Sequence, residues 1–400
     1  MSDSTVIFNA RLTQYPATGN LAVGSGLYQI AVENDRVKAI APMGTTQAAS
    51  GSLDVSGDWI SLGAIDLQIN GALGLAFPDL RPDCFEQLQA ICELLWQQGV
   101  DGFCPTLVTT SLENFHGSLA AIRQFQTEVQ SDQPSGSAKI LGVHLEGPFL
   151  NPAKRGAHSE EFLQPLTLEA VKTVIGDFAE TVKIVTLAPE LEAQSEVIEW
   201  LCDRHITVSL GHSLATAKQA NRAFTRGATM VTHAFNAMPG LHHREPGLLG
   251  AALRNPGVFC GLIADGQHIC PTMLDLLIRS GRGSLNTTMG NLFLVSDALS
   301  PLGLPEGIYP WDTRQIEVVK GTARLADGTL SGTTLPLIEG AINLVRWGIC
   351  SVEEAIALAT KNPRQAIGLP NLTVGSPAQL LRWHQDRDTR QLTWRRLSLG

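Results

Sequence analysis

Five ionisable residues each follow a short apolar run of the kind that forms a buried strand. They are Glu146, His212, His233, Asp265 and Asp297, which come after the runs LGVHL, VSLG, MVT, LIA and LVS. Two imidazoles and one carboxylate form a common ligand set of catalytic zinc-type sites, which keep a further position open for water. The sequence therefore predicts a catalytic metal site if Glu146, His212 and His233 converge in the fold.

Each of these residues also has an ordinary structural interpretation. His212 or His233 alone would be a hydrogen-bonded histidine of a buried strand, and Glu146 alone would be the ion-paired end of one. Asp297 alone would be the N-cap of a helix that begins near ALSP. Asp265 either orients a ligand or caps the turn that follows it, and the sequence favours neither. Four coincident positions at strand ends are hard to explain by packing, which favours the metal site.

Eight apolar runs of strand length lie in the middle of the chain and mostly alternate with helical patterns. Runs that are wholly apolar indicate strands buried on both faces, as in a parallel sheet. Eight such units predict an α/β fold, a (β/α)8 TIM-like barrel over residues 61–370, in which the carboxyl ends of the strands face one mouth. The runs span residues 64–69, 102–105, 140–145, 182–187, 207–210, 230–232, 259–264 and 292–296.

The two ends of the chain carry short alternating segments separated by turn residues. Residues 1–60 contain TVIFNARL, LYQIAVENDRVKAIAP and most of LDVSGDWISLG, and residues 371–400 contain QLLRWHQ and LTWRRLSL. The alternation predicts antiparallel strands, and neither end is long enough to form a stable domain alone. We therefore expect one small β-sandwich built from both ends of the chain.

The composition limits the class of protein and of partner. Hydrophobic residues make up 44% and charged residues 17%, which is typical of a globular chain and excludes disorder over most of its length. The net charge of −9, without a basic block, argues against nucleic-acid binding. The seven cysteines include no C-x-x-C pair, and neither a signal peptide nor an apolar stretch long enough to span a membrane is present. The expected location is the cytoplasm.

Six motifs occur in an order that is typical of one enzyme family. They are HLEGPFLNPAKRGAHS, GHSLATAKQA, THAFNAMPGLHHREPGLLGAAL, IADGQH, LVSDALSPLG and GTLSGTTLPLIEG. Together they resemble the N-acetylglucosamine-6-phosphate deacetylases of the amidohydrolase superfamily, over roughly residues 60–370. The resemblance implies a metal-dependent hydrolase that converts N-acetyl-D-glucosamine 6-phosphate to D-glucosamine 6-phosphate and acetate. It also implies a homodimer.

The resemblance further assigns roles to individual residues of this sequence. Glu146, His212 and His233 would bind one divalent metal ion, zinc in the first place, with iron, cobalt or manganese as alternatives. Asp297 would act first as general base and then as general acid, and His158 and the main chain of Ala157 would meet the acetamido group. The residues that would hold the sugar phosphate and hydroxyl groups, or line the far wall, are Asn236, Ala237, Arg244, His268, Leu330, Ser331 and Gly332.

One segment departs from the wider superfamily. Many amidohydrolases end the first barrel strand with His-x-His, which binds a second metal ion, whereas this chain has Gln68 and Asn70 in AIDLQING. Neutral amides are poor ligands for zinc-like ions. We therefore expect a single ion, with Gln68 hydrogen-bonded either to a water on that ion or to Glu146. The alternative is that Gln68 and Asn70 only fill the bottom of the barrel.

Three histidines and one arginine receive separate predictions. His242 and His243 are expected to form a solvated pair in a loop, and His144 is expected to pack against the barrel wall. Arg244 is predicted to bind phosphate, because its guanidinium group matches two phosphate oxygens at once. The alternative for Arg244 is a surface ion pair with Glu245.

Two other functions are compatible with the sequence. One is a different amidohydrolase that acts on a cyclic amide or another N-acyl compound, although such enzymes typically keep His-x-His. The other is a metal-free barrel that serves as a scaffold or binding protein, although all three ligands and Asp297 are present here. The choice between N-acetylglucosamine and N-acetylgalactosamine phosphates stays open.

Overall fold

The computed structural model describes residues 4–13, 26–43, 52–130, 136–192, 196–282 and 290–398. Its strands, in chain order, are β1 (Ser4–Leu12), β2 (Tyr28–Glu33), β3 (Arg36–Pro42), β4 (Ser52–Asp54), β5 (Trp59–Leu62), β6 (Ala64–Ile69), β7 (Gly71–Ala72), β8 (Leu75–Ala76), β9 (Val100–Val108), β10 (Lys139–Ile140), β11 (Val143–Glu146), β12 (Val182–Leu187), β13 (Thr207–Leu210), β14 (Met230–Val231), β15 (Phe259–Leu262), β16 (Leu292–Leu294), β17 (Gly307–Trp311), β18 (Arg314–Val319), β19 (Thr322–Leu325), β20 (Leu330–Thr333), β21 (Leu380–Gln385) and β22 (Leu392–Arg396).

The α-helices lie mainly between the strands of the middle segment. They are α1 (Phe85–Gln97), α2 (Leu112–Glu128), α3 (Leu168–Ile175), α4 (Val197–Cys202), α5 (Ala217–Thr225), α6 (Gly247–Leu253), α7 (Pro271–Gly281), α8 (Leu337–Arg346), α9 (Val352–Ala359) and α10 (Lys361–Ala366). Within the described ranges, no helix combines the length and the apolar character that a membrane span requires.

The eight predicted apolar runs all form strands of one parallel barrel. The strand order is β10-β9-β11-β12-β13-β14-β15-β16, and β6 pairs with the other side of β9. The run predicted at residues 140–145 is divided into β10 and β11 by Gly142, whose φ of 121° lies outside the range that other residues adopt easily. The predicted TIM-like barrel is confirmed.

The barrel closes where β16 meets β6. Two main-chain hydrogen bonds cross this seam, from Asp297 N to Gln68 O at 2.9 Å and from Asn70 N to Ala298 O at 2.7 Å. Inside the seam the buried carboxylate of Asp66 accepts a hydrogen bond from the Ser296 main chain at 3.2 Å. The residues that join the two strands are therefore neighbours of the candidate catalytic residues.

Strands from both chain ends form a second sheet, with the order β22-β21-β5-β1-β2-β3 and β4 beside β1. Its apolar core includes Ile7, Ile30, Val37, Ile60 and Leu380. The sequence predicted antiparallel strands throughout, which is wrong for two pairs, because β4 and β5 run parallel to β1. Alternation of apolar residues reports which face of a strand is buried and carries no information on its direction. The division at residues 60 and 371 stays a prediction.

A four-stranded antiparallel sheet, β17–β20, is inserted between β16 and α8. We call residues 307–333 the arm. Its core contains Trp311, Ile316, Val318 and Ala323, which pack on Leu299 beside the barrel mouth. The sequence interpretation did not predict the arm.

Candidate active site

Three predicted metal ligands meet at the barrel mouth. Glu146 Oε1 lies 3.2 Å from His212 Nε2 and 3.0 Å from His233 Nε2, and the two nitrogens are 3.1 Å apart. Glu146 is the last residue of β11, and the two histidines follow the ends of β13 and β14 by two residues. All three side chains are buried. The parallel strands therefore bring together residues that are far apart in the sequence, as expected for strand ends that share one mouth.

The protonation states of these groups suit a cation. His212 Nδ1 lies 2.8 Å from the carbonyl oxygen of Lys154, and since a carbonyl only accepts, Nδ1 carries the hydrogen and Nε2 presents a lone pair. Burial alone would raise the pKa of Glu146, but the imidazoles of His212 and His233 hold that pKa well below its usual range. An ionised carboxylate and a nitrogen lone pair at this distance repel each other unless a proton or a metal ion lies between them. Burial opposes a charge on His233, but the hydrogen bond to Glu146 raises the pKa of His233. The donor set therefore fits a divalent ion.

Left-handed backbone turns the site residues inward at the strand ends. His212, His233 and Asp297 have φ angles of 52°, 27° and 48°, values that are uncommon for residues other than glycine. Such conformations persist only where the surrounding structure enforces them, and they cluster at functional sites. Here each one follows a barrel strand and directs an ionisable side chain towards the mouth.

We call Glu146, His212 and His233 the ligand cluster. Gln68 and Asn70 connect this cluster to Asp297. The Gln68 amide donates to Glu146 Oε1 at 3.0 Å and to Asp297 Oδ1 at 3.3 Å, and Asn70 donates to the same Asp297 oxygen at 2.8 Å. Both amide side chains are buried at the mouth and not at the bottom of the barrel. Gln68 thus makes the hydrogen bond to Glu146, which was one of its two predicted partners.

Asp297 is a buried carboxylate beside the ligand cluster. Burial, followed by the nearby charge of Glu146, raises the pKa of Asp297 to about 6. Gln68 and Asn70 both donate to Oδ1, and among the described residues no hydrogen bond reaches Oδ2. One oxygen is thus fixed by two amides, and the other is free to exchange a proton.

His158 lies against the cluster with a defined tautomer. Its Nδ1 lies 3.3 Å from the main-chain nitrogen of Thr109 and 3.0 Å from Thr109 Oγ1. The hydroxyl can donate or accept, but the main-chain N–H can only donate, so Nδ1 is the acceptor and the hydrogen of the neutral ring is on Nε2. Burial, and then the neighbouring His212, lower the pKa of His158 to about 3. The ring centroids of His158 and His212 are 4.5 Å apart. His158 is therefore a neutral hydrogen-bond donor next to the ligands.

A cavity of about 690 Å³ opens over these groups. Several residues that the family resemblance assigned to substrate binding line it, namely Ala157, His158, Asn236, Ala237, His268, Leu330 and Ser331. The arm supplies Trp311, Asp312 and Thr313 to the same wall. The volume and the mixture of polar and apolar lining suit a small phosphorylated sugar.

Two predicted substrate contacts do not line the cavity. Arg244 is exposed in the loop before α6, where its guanidinium group contacts His243 Nε2 at 2.9 Å, so the structure brings it neither to the cavity nor into an ion pair with Glu245. Gly332 is covered because it packs against Asp297, and a Cβ there would lie 2.6 Å from the Asp297 carbonyl oxygen. Gly332 thus packs directly against the backbone of Asp297.

Asp265 caps the turn that follows it, which is one of its two predicted roles, and also contacts the ring of His268. Its Oδ1 accepts the main-chain N–H groups of Gln267 and His268 at 2.8 and 2.9 Å, which caps the turn. Its Oδ2 lies 2.7 Å from His268 Nδ1, which fixes the orientation of that ring. The carboxylate therefore holds His268 against the cavity.

The other histidines lie outside the cavity. His144 is buried inside the barrel, with Nδ1 at 3.0 Å from Leu67 O and Nε2 at 2.7 Å from Thr186 Oγ1. His242 and His243 are exposed and in ring contact at 4.3 Å.

Sequence reasoning missed Thr109 and the arm residues of the wall. Thr109 had a usable signal, because β9 extends to Val108 and is followed by the polar pair Thr109 and Thr110. The predicted metal ligands were found from the same pattern of a polar residue after an apolar strand. The predicted strand stopped at residue 105, so the pair was overlooked. Trp311 and Asp312 had no such signal, since the arm follows no barrel strand pattern.

The chain is similar to known proteins along most of its length. Residues 59–393 match the model of the amidohydrolase family. An N-acetylglucosamine-6-phosphate deacetylase of Bos taurus is 40% identical, over 79% of this chain and 76% of that protein. An N-acetylgalactosamine-6-phosphate deacetylase of Escherichia coli O157:H7 is 33% identical, over 76% of this chain and 77% of that protein. The crystal structure of an N-acetylglucosamine-6-phosphate deacetylase from Pasteurella multocida matches with a TM-score of 0.79 and 27% identity, over 98% of this chain and 100% of that one.

The fold, the site and these similarities define the class of protein, because the chain belongs to the amidohydrolase family. Within it, the chain belongs to the N-acetylglucosamine-6-phosphate deacetylases, since relatives of that name are 31% to 40% identical over most of its length. The resemblance carried by the six sequence motifs is confirmed.

Proposed function

We propose that this chain hydrolyses the acetamide of N-acetyl-D-glucosamine 6-phosphate to D-glucosamine 6-phosphate and acetate. The observation that carries the proposal is the convergence of Glu146, His212 and His233 beside Asp297 in a cavity of sugar size. A metal-free scaffold would have no need for an ionised carboxylate and two imidazoles that crowd one point. Membership of the deacetylase family supports the same conclusion.

Glu146, His212 and His233 would hold one divalent ion, and zinc suits two imidazoles and a carboxylate. Iron, cobalt and manganese accept the same donor set. The ion would supply Lewis acidity, which lowers the pKa of water and polarises a carbonyl group. Gln68 and Asn70 support a single ion, because their amides are directed to Glu146 and Asp297 as donors.

Asp297 and His158 have different roles in amide hydrolysis: Asp297 transfers a proton and His158 donates a hydrogen bond. As water adds to the acetamide carbon, Asp297 Oδ2 accepts a proton from it. The Nε2–H group of His158 donates to the carbonyl oxygen, on which negative charge develops. The carbon–nitrogen bond then breaks, and Asp297 returns the proton to the departing nitrogen. The amine leaves as glucosamine 6-phosphate, and the acetic acid ionises to acetate.

The sugar phosphate would lie on the side of Asn236, Ala237 and His268. Lys154 is the single lysine or arginine among the described residues of the cavity wall, and its Nζ lies 3.4 Å from Met238 O, next to that side. Lys154 and His268 are therefore the side chains through which we expect the phosphate charge to be balanced. Arg244 would have to move from its exposed position to take part.

We propose the glucosamine substrate ahead of its galactosamine isomer, because relatives at 36% to 40% identity carry the glucosamine name, whereas the relative with the galactosamine name is 33% identical. We also propose a cytoplasmic homodimer, in which the exposed Leu214 and Leu241 would be covered by the second copy. Light scattering of the purified chain at several concentrations tests the dimer, and a constant monomer mass would contradict it.

The proposed function is tested by following release of free amine and acetate from four compounds. They are the N-acetyl 6-phosphates of glucosamine and galactosamine, and the two unphosphorylated sugars. We expect the highest kcat/KM with N-acetylglucosamine 6-phosphate, loss of activity on chelation, and about one metal ion per chain in elemental analysis. Absence of turnover by the metal-loaded protein would contradict the enzyme, and two tightly bound ions would contradict the single-metal site.

A further inference from the structure

One hydrogen bond joins the arm to the loop that carries His158. Arg314 Nη2 donates to the carbonyl oxygen of Ala157 at 2.7 Å. The same guanidinium group is held by Asp312, with Nε at 3.0 Å from Oδ1. Arg314 thus bridges two segments that are 157 residues apart in the sequence and that both line the cavity.

The arm presents Arg314 from a rigid turn. Trp311 and Arg314 are paired at the end of the β17–β18 hairpin, and Trp311 is anchored in the core of the arm. Asp312 has a left-handed φ of 49°, and its Oδ1 accepts the main-chain N–H of Arg314 at 2.9 Å. The Asp312 carboxylate therefore fixes both the turn and the guanidinium group. It accepts from Nε and from one N–H of Nη2, and the second N–H of Nη2 is directed at Ala157.

Ala157 precedes His158 in a loop that also supports the ligand cluster. Three residues earlier, the Lys154 carbonyl oxygen accepts from His212 Nδ1 at 2.8 Å. The other side-chain hydrogen bonds to the main chain of this segment are longer, since Arg155 Nη1 lies 3.4 Å from Gly156 O and 3.4 Å from His158 O. Arg314 therefore makes the shortest described side-chain hydrogen bond to the main chain next to His158.

We propose that Arg314 is a positioning residue for the deacetylation reaction, acting through the Ala157 carbonyl to hold His158 against the substrate. This inference rests on the proposed function. A loop fixed at Ala157 keeps the Nε2–H group of His158 aimed at the carbonyl oxygen, where hydrogen bonding matters most as charge develops. Loss of the tether affects the chemical step more than phosphate binding, because the phosphate is expected on the side of Asn236, Ala237 and His268.

The first test compares Arg314→Met with Arg324→Met. The second variant removes an exposed arginine of the same arm, whose one side-chain hydrogen bond within the described part of the chain goes to the Gly328 carbonyl of its own turn. We expect Arg314→Met to lower kcat by about 10- to 100-fold, as for a small misplacement of a catalytic group, with KM changed less than about threefold. Arg314→Lys should recover part of the loss, and Arg324→Met should match the wild-type chain. Equal losses in both methionine variants, or a change confined to KM, would overturn the proposal.

A double-mutant cycle tests whether Arg314 acts through His158. In a His158→Asn background, Arg314→Met should have little further effect on kcat, because the group it positions is already gone. A full additional loss in that background would mean that Arg314 acts independently and would overturn the proposal.

Hydrogen–deuterium exchange provides a measurement that needs no activity. Peptides covering residues 151–163 and 307–319 should exchange faster in Arg314→Met than in Arg324→Met. If the two variants exchange at the same rate, Arg314 does not hold the loop in place, and the proposal is overturned even if the enzyme is active. If the wild-type chain fails to deacetylate any phosphorylated sugar while the exchange difference is present, the proposed function fails and the tether between arm and loop stands.

Discussion

His212 and His158 lie with their rings in contact, yet the backbone gives them opposite tautomers. The Lys154 carbonyl places the hydrogen of His212 on Nδ1, and the Thr109 N–H places that of His158 on Nε2. One imidazole therefore offers a lone pair to a metal ion and the other offers a hydrogen to the substrate. Main-chain groups determine this difference between the tautomers. It therefore cannot be predicted from the residue type, which is histidine at both positions.

The proton-transfer role of Asp297 predicts a large effect of one substitution. Asp297→Asn keeps the size of the side chain and an oxygen for Gln68 and Asn70, but it cannot take up a proton. We expect kcat to fall by about 10³- to 10⁴-fold, because general base and general acid are lost together. Metal content should stay close to that of the wild-type chain. Turnover above a tenth of wild type, or loss of the metal, would refute the role.

The pH dependence separates Asp297 from His158. The pKa of Asp297 is about 6 and that of His158 is about 3, so only Asp297 changes charge in the range where activity is measured. Because the base must be ionised, kcat/KM should fall as pH drops through about 6, or through a lower value where a bound cation favours the carboxylate. His158→Asn should lower the rate without moving this limb. A limb that disappears in His158→Asn would assign it to the histidine.

At the scale of elements, the barrel strands were predictable because apolar runs and the polar residues after them are local features. Ligand positions followed, since parallel strands share one mouth. The arm was not predictable in the same way, because β17 and β18 alternate exposed and buried residues instead of forming wholly apolar runs, and Arg314 lies in none of the six motifs. Strand direction in the chain-end sheet was missed because pairing between distant segments leaves no local signal.

The contact between the arm and the barrel predicts an effect at Gly332. This glycine has a φ of 148°, and a Cβ there would lie 2.6 Å from the Asp297 carbonyl oxygen. The next residue, Thr333, donates to that oxygen at 3.0 Å, so a displacement of β20 moves the backbone of Asp297. Gly332→Ala should therefore lower kcat by about tenfold or more, as expected when a catalytic group is misplaced.

The matched control for this prediction is Gly328→Ala in the same arm. Gly328 also has a positive φ, of 86°, but a Cβ there would have no neighbour within 4 Å. An alanine at position 328 would therefore have backbone strain, as an alanine at position 332 would, but it would not collide with Asp297. Steady-state kinetics and thermal unfolding of both variants measure the difference. If the two variants lose the same activity, strain and not the collision is responsible.

At the scale of the molecule, the catalytic mouth and the attachment of the chain-end sheet are separate. Asp101, near the start of β9, accepts from Arg396 of β22 and from Arg364 of α10, both at 3.0 Å, and from Gly63 N at 2.7 Å. Arg396 also stacks on Trp96, at 3.3 Å from the ring centroid. Both chain ends are thus fixed to the amino-terminal end of the barrel strands, opposite the mouth.

This separation predicts that Asp101 affects stability and not chemistry. Asp101→Asn removes the charge that faces two largely buried guanidinium groups, and breaking such a pair costs about 3–5 kcal/mol of the free energy of unfolding. Urea or thermal unfolding should show the loss, whereas Asp388→Asn in the exposed β21–β22 turn should not. At temperatures where Asp101→Asn is folded, kcat should match the wild-type chain, because the Asp297 and His158 geometry is set at the other end of the strands. A variant with unchanged stability and reduced kcat would show that the two ends of the barrel are coupled.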